Sequence, residues 1–161
     1  MTNPTIMSYP QDVKYLATIE LPWEKPPLSL NDSAPASKGA VWGRAAKKRE
    51  IQQAVHLLAR NVRMPEGMNY LIVQLNYRPR DNRGRDTDNV AASGKPIYDA
   101  LSRGSKQIPG LGLVPDDLPR FMGKPEPIIW PAERGLRGRM WMDLWVSERA
   151  PFPYERAAQI A

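Results

Sequence analysis

The stretch YLIVQLNYRPRDNRGRDTDN, residues 70–89, runs from a strand straight into the most highly charged part of the chain. Leu71, Val73, Leu75 and Tyr77 alternate with Gln74 and Asn76, the period of two expected of a strand with one apolar face. Arg78-Pro79 ends it, since proline brings no N–H to a ladder. Beyond it Arg80, Arg83 and Arg85 precede Asp86-Thr87-Asp88-Asn89. From Asp88 to Ser102 the pattern turns helical, with Asp86 or Asp88 as its acidic N-cap. Gly94 and Pro96 interrupt that helix; either it kinks there or Pro96 begins a second one.

Upstream, Ile51, Ala54, Val55, Leu58 and Val62 fall at i, i+3, i+4, i+7 and i+11, which defines one face of an amphipathic helix from Trp42 to about Val62. Arg44, Lys47, Lys48 and Arg49 sit largely off that face. Before it come a short strand, Tyr15 to Leu21, and a proline-rich run read as loop or extended arm, with residues 1–14 as a candidate disordered arm. Downstream, the glycine-rich RGSKQIPGLG reads as a flexible loop leading to Leu113-Val114-Pro115-Asp116-Asp117. Pro127–Trp130 and Leu136–Val146 read as the strands of a hairpin across a basic turn with Arg134, Arg137 and Arg139. Residues 1–146 then form a single domain, and 147–161 a poorly ordered tail.

The 161 residues give a prior of about one domain. Hydrophobic content of 42% and charged content of 25% suit a globular chain with a modest core and exclude global disorder. Seventeen prolines and eleven glycines assign much of the chain to loops. With no cysteine, disulfide scaffolds, thiolate nucleophiles and thiolate zinc sites are excluded, and a reducing cytoplasm is the expected location. No apolar run approaches a membrane span, and the first residues lack the order of a signal peptide.

A net charge of +6 and a pI near 9.7 point to a polyanionic partner. Residues 33–63 hold seven basic residues against one acidic, whereas residues 86–117 hold three basic against five acidic. Either run could be a solvated face. An acidic island in a DNA-binding chain nevertheless repels phosphate unless its carboxylates hold a metal. Asp86 and Asp88 come first and Asp116-Asp117 about 30 residues later, a spacing that permits convergence. Two such charges 4 Å apart repel by about 4 kcal/mol at an effective dielectric of 20, so the cluster calls for a cation or a shared proton. A hard oxygen site of this kind suits Mg2+, with Mn2+ as a substitute. On a continuous helix Asp88, Lys95 and Asp99 would lie within about 20° of one line, where Lys95 could neutralise a phosphoryl oxygen or simply pair with Asp99. An EF-hand from Asp86 fails at Ala91 and Ile97, and Gly110-Leu-Gly112 lacks the third glycine of a dinucleotide site, so no small-molecule cofactor is expected. His56, the lone histidine, receives no role.

Leu21-Pro22, Pro26-Pro27, Ser29 and Asn31, the RPR…RDTDN block, Lys95 four residues before Asp99-Ala100-Leu101, and Val114-Pro115-Asp116-Asp117 together resemble the RusA-type Holliday junction resolvases, in the versions carried by actinobacterial phages. The resemblance spans roughly residues 15–146. It implies an α+β fold, a small mixed sheet packed against two main helices, forming a homodimer that cuts four-way DNA junctions with magnesium. It also implies Asp86, Asp88 and Asp117 as metal-binding carboxylates and Lys95 as the catalytic lysine, with Asn89 and Asp116 in support. Arg44, Lys47, Lys48, Arg49, Arg78, Arg80, Arg83 and Arg85 are the candidate DNA contacts. The rival reading is a non-catalytic DNA-binding recombination accessory protein.

Overall fold

The computed structural model describes residues 13–29, 38–148 and 150. Most of the arm expected at residues 1–14, Asn31, and most of the tail expected at 147–161 lie outside them. Within them the chain is a small mixed α+β protein, ordered β1 (Lys14–Leu21), α1 (Lys38–Asn61), β2 (Tyr70–Arg78), α2 (Thr87–Ala92), α3 (Gly94–Leu101), β3 (Met122–Gly123), β4 (Ile128–Ile129) and β5 (Arg139–Ser147). No helix among the described residues is long and apolar enough to cross a membrane.

The sheet runs β1-β5-β2-β3, with β4 also on β2. β5 is antiparallel to both β1 and β2, while β3 and β4 are parallel to β2. The hairpin expected between residues 127–130 and 136–146 therefore does not form: both segments pair with β2. A nine-residue apolar strand offers each of them a longer ladder than they offer each other. Between β3 and β4 the sequence Lys124-Pro125-Glu126-Pro127 cannot continue the ladder, because alternate residues lack an N–H. The Gln74 side chain spans the break by donating from Nε2 to the Glu126 carbonyl at 2.9 Å.

Leu71, Val73, Leu75 and Tyr77 turn to the main core as their alternation requires, joined by Met140, Met142 and Leu144 of β5 and Ile19 and Leu21 of β1. Ile51, Val55 and Ala59 of α1 and Ile97, Ala100 and Leu101 of α3 close that core from the helix side. The opposite face of β2 is buried too. Asn76 donates to Asp143 Oδ2 at 2.9 Å and accepts from Trp130 Nε1 at 2.9 Å, so its amide is satisfied under the tryptophan. Tyr70, Ile72 and Trp145 form a second apolar cluster there, against which Val13 and Ala150 pack.

The interruption expected at Gly94 and Pro96 takes the form of a second helix, but it starts at Gly94: the chain breaks at Ser93 into α2 and α3, with Pro96 in the first turn of α3. Ser93 makes no side-chain cap; its hydroxyl accepts from the Leu28 N–H at 3.1 Å and donates to the Leu28 carbonyl, which ties the proline-rich loop to the helix junction. The loop over residues 103–110 is closed rather than loose. Gly110 N donates to the Arg103 carbonyl at 2.7 Å, Gly104 pairs with Pro109, and Gly104 adopts φ 71°, where a Cβ would meet Ile108 O at 2.5 Å.

Candidate functional site

The acidic block opens α2. Asp86 is its N-cap, accepting from the Asp88 N–H through Oδ1 at 3.1 Å, which decides between the two capping candidates. Asp88 and Asn89 are exposed in the first turn. The break at Ser93 removes the single line of Asp88, Lys95 and Asp99, but the Lys95–Asp99 pair survives within α3, Nζ to Oδ1 at 2.9 Å.

Lys95 Nζ also reaches Asp117 Oδ2 at 2.9 Å, although 22 residues separate them. Asp116 helps place that carboxylate, its Oδ1 accepting from the Asp117 N–H at 2.7 Å. Lys124, which the sequence reading passed over, donates to the same Asp117 Oδ2 at 2.8 Å and lies 4.9 Å from the centre of the Tyr98 ring. Burial alone would push the Asp117 carboxyl up, but hydrogen bonds and charge from Lys124 and Lys95 outweigh it and hold it at about 2. Burial and the Asp117 charge push the Tyr98 hydroxyl up to about 12. For Lys95, burial opposes the ammonium, yet its bonds to Asp117 and Asp99 raise its pKa. Lys95 is therefore a fixed cation at neutral pH and suits charge neutralisation, not proton abstraction.

A pH dependence follows. The folded state favours ionised Asp117, so its contribution is present above about pH 4 and lost as the pH falls through about 2. A drop from 3.8 to about 2 corresponds to about 2 kcal/mol. Wild-type chain should lose its thermal advantage over Asp117→Asn between pH 5 and pH 2. A gap in Tm that stays constant with pH would contradict these ion pairs.

Glu126 was also missed. Its Oε1 accepts from the Thr87 hydroxyl at 2.8 Å, inside the Asp-Thr-Asp-Asn block. Lys124 and Glu126 stand two residues apart, a span of at most about 7 Å, so one short segment touches Asp117 on one side and the 86–89 block on the other. Its proline content concealed it, since Lys-Pro-Glu-Pro reads as plain loop.

The expected metal set is not assembled. Among the described residues no group of three or more His, Asp or Glu side chains could hold a metal ion together. Asp117 is engaged by two lysines and Asp86 caps α2. The donor chemistry of Asp86, Asp88 and Asp117 suits a hard divalent cation, but their arrangement is not a formed cage.

Asp86 and Asn89 line a cleft of about 1020 Å³, together with Pro27, Tyr77, Arg80 and Arg85. One wall is held where Gly138 meets the Glu24 backbone so closely that a Cβ would lie 1.8 Å from Glu24 O. Gly138→Ala must displace that backbone, an overpacking cost of roughly 1–3 kcal/mol that should lower Tm by roughly 3–10 °C. An unchanged melting curve would show that the wall yields freely.

Of the candidate DNA contacts, Arg44, Lys47, Lys48 and Arg49 lie on the half of α1 that precedes its first buried residue, Ile51. The helix starts earlier than its apolar face, and this basic half stands clear of the core. Lys47 approaches Glu50 at 3.8 Å. Arg78 is half-buried against Glu133 at 3.2 Å. Arg80, Arg83 and Arg85 gather around Asp81 at 3.8, 3.9 and 2.6 Å, and the Arg83 backbone N–H, with these guanidiniums, lowers the Asp81 pKa. A guanidinium has five donors, so one carboxylate does not exhaust any of them.

Compared with known proteins, the chain matches no family model, no curated protein and no solved structure.

Proposed function

We propose that this chain is a magnesium-dependent, structure-selective DNA endonuclease that resolves four-way junctions by paired nicks, as its resemblance to the RusA-type resolvases implies. The observation that carries the reading is the Lys124–Glu126 segment, which bonds Asp117 through Lys124 and the 86–89 block through Glu126, with Lys95 also bonded to Asp117. Asp86, Asp88 and Asp117 would hold the metal, which when bound supplies charge neutralisation and a more acidic water. Lys95 stands ready to offset negative charge on a phosphoryl oxygen. Arg80 and Arg85 line the cleft that also holds Asp86, where they suit the strand leading to the reacting phosphate.

Two nicks related by two-fold symmetry need two sites, and the chain carries one acidic block and one Asp-Asp pair. The reading therefore includes a symmetric homodimer. The test is cleavage mapping on a synthetic four-way junction, a fork and a duplex, with and without magnesium. Junction-specific nicks only with the metal support the proposal; tight binding with no cutting under any condition replaces it with the non-catalytic DNA-binding accessory protein.

A further inference from the structure

A second groove, of about 350 Å³, lies between α1 and the closed loop over residues 103–110 and shares no lining residue with the cleft at Asp86. Its lining includes Arg49, Gln52, Gln53, His56, Arg60 and Gln107, and none of the residues lining it is acidic. Arg49, His56 and Arg60 fall at i, i+7 and i+11, within about 20° of one line along the helix. That line is about 16 Å long, enough to follow several consecutive phosphates of a DNA strand. It runs on from the basic half of α1 that holds Lys47 and Lys48.

The far wall is preformed. Gln52 Nε2 donates to the Ile108 carbonyl at 3.4 Å, and that carbonyl also accepts from the Ser105 N–H at 3.0 Å. The Ile108 N–H is taken by Ser105 Oγ at 3.0 Å, and Gly110 fits where a Cβ would meet Ser102 O at 2.0 Å. The loop therefore holds Gln107 opposite the helix without ordering on binding. Guanidinium, amide and imidazole groups of α1 line one wall and the Gln107 amide the other, a donor set suited to phosphate oxygens.

We propose that this groove binds the sugar-phosphate backbone of a DNA arm at a distance from the reacting phosphate, with Arg49 and Arg60 supplying charge and Gln53, His56 and Gln107 supplying hydrogen bonds. The inference rests on the DNA-binding part of the proposed function and not on cleavage. Binding read in the absence of magnesium separates the two.

The experiment compares full-length parent with Gln53→Glu/Gln107→Glu, both exposed positions, by anisotropy on a labelled four-way junction and a duplex across a salt series. Asn69→Asp/Leu136→Glu adds the same charge at exposed positions outside the groove and serves as the control. The groove pair should weaken both DNAs at least about 10-fold more than the control at about 0.1 M salt and lower the salt slope by about two. Arg60→Gln should lower the slope by about one. Groove variants that bind no worse than the control overturn the proposal while leaving DNA binding intact. A parent that binds neither DNA but captures polyglutamate through Arg49 and Arg60 overturns it in favour of an acidic protein segment.

Discussion

Asp88→Asn should abolish junction cleavage, by about 10²–10³-fold or more in single-turnover rate, while junction binding stays equal or tightens. The side chain is exposed and its amide replacement is isosteric, and the cap of α2 uses the Asp88 backbone N–H and not its carboxylate, so the fold has no reason to change. On the proposed nuclease reading, a charged oxygen donor for the metal would be lost. Repulsion of the approaching phosphate is lost with it, which is why affinity does not fall. In mixed dimers carrying one Asp88→Asn chain, one strand should be nicked and the other left intact. Cleavage at the parental rate would remove Asp88 from the chemistry.

Lys95→Ala should lower the rate by about 10²–10³-fold with Kd changed little, because a cation that neutralises developing charge acts mainly in the transition state. Its bonds to Asp117 and Asp99 favour the charged form, so the chain holds this cation in place before substrate arrives. Asp117 keeps Lys124 at 2.8 Å in the variant, which protects the carboxylate from being left without a counter-charge. Lys95→Arg should recover part of the rate, since charge is retained but the compact ammonium geometry is not. A weaker Kd at an unchanged single-turnover rate would move Lys95 from chemistry to binding.

β1, β2, β5 and α1 were legible because their apolar periods are local, whereas the two-residue β3 carries no period. β2 shows its alternation in eight consecutive residues, and α1 shows a face from Ile51 onward. Nothing local marks the start of α1 at Lys38, since its first two turns bury no side chain. Strand partners were not legible either: residues 127–130 look like half of a hairpin until β2 is seen to be the better neighbour. The interruption near Gly94-Lys95-Pro96 was legible, but the contact of Ser93 with Leu28, 65 residues away, was not.

At the candidate site the residue types were legible and their partners were not. Lys95 and Asp117 could be named from their motifs, and they do meet. Lys124 and Glu126 could not, because charged residues in a Lys-Pro-Glu-Pro run carry no periodic signal. The three-carboxylate grouping expected from Asp86, Asp88 and Asp117 is the chief difference: Asp117 is bonded to two lysines and Asp86 caps a helix. The glycine-rich loop misled for the opposite reason. Its glycines permit a tight, bonded turn at Gly104 and a close approach at Gly110, which composition alone reads as slack.

The most direct measurement of the central claim is cleavage of a supercoiled plasmid that extrudes a cruciform, followed by gel over time with magnesium and with chelator. Paired nicks made within one complex convert the plasmid to linear DNA, while single uncoordinated nicks give open circles. The account predicts linear product in magnesium, none in chelator, and open circles from mixed Asp88→Asn dimers. A plasmid that stays supercoiled in both magnesium and manganese, although the chain binds it, would contradict the account.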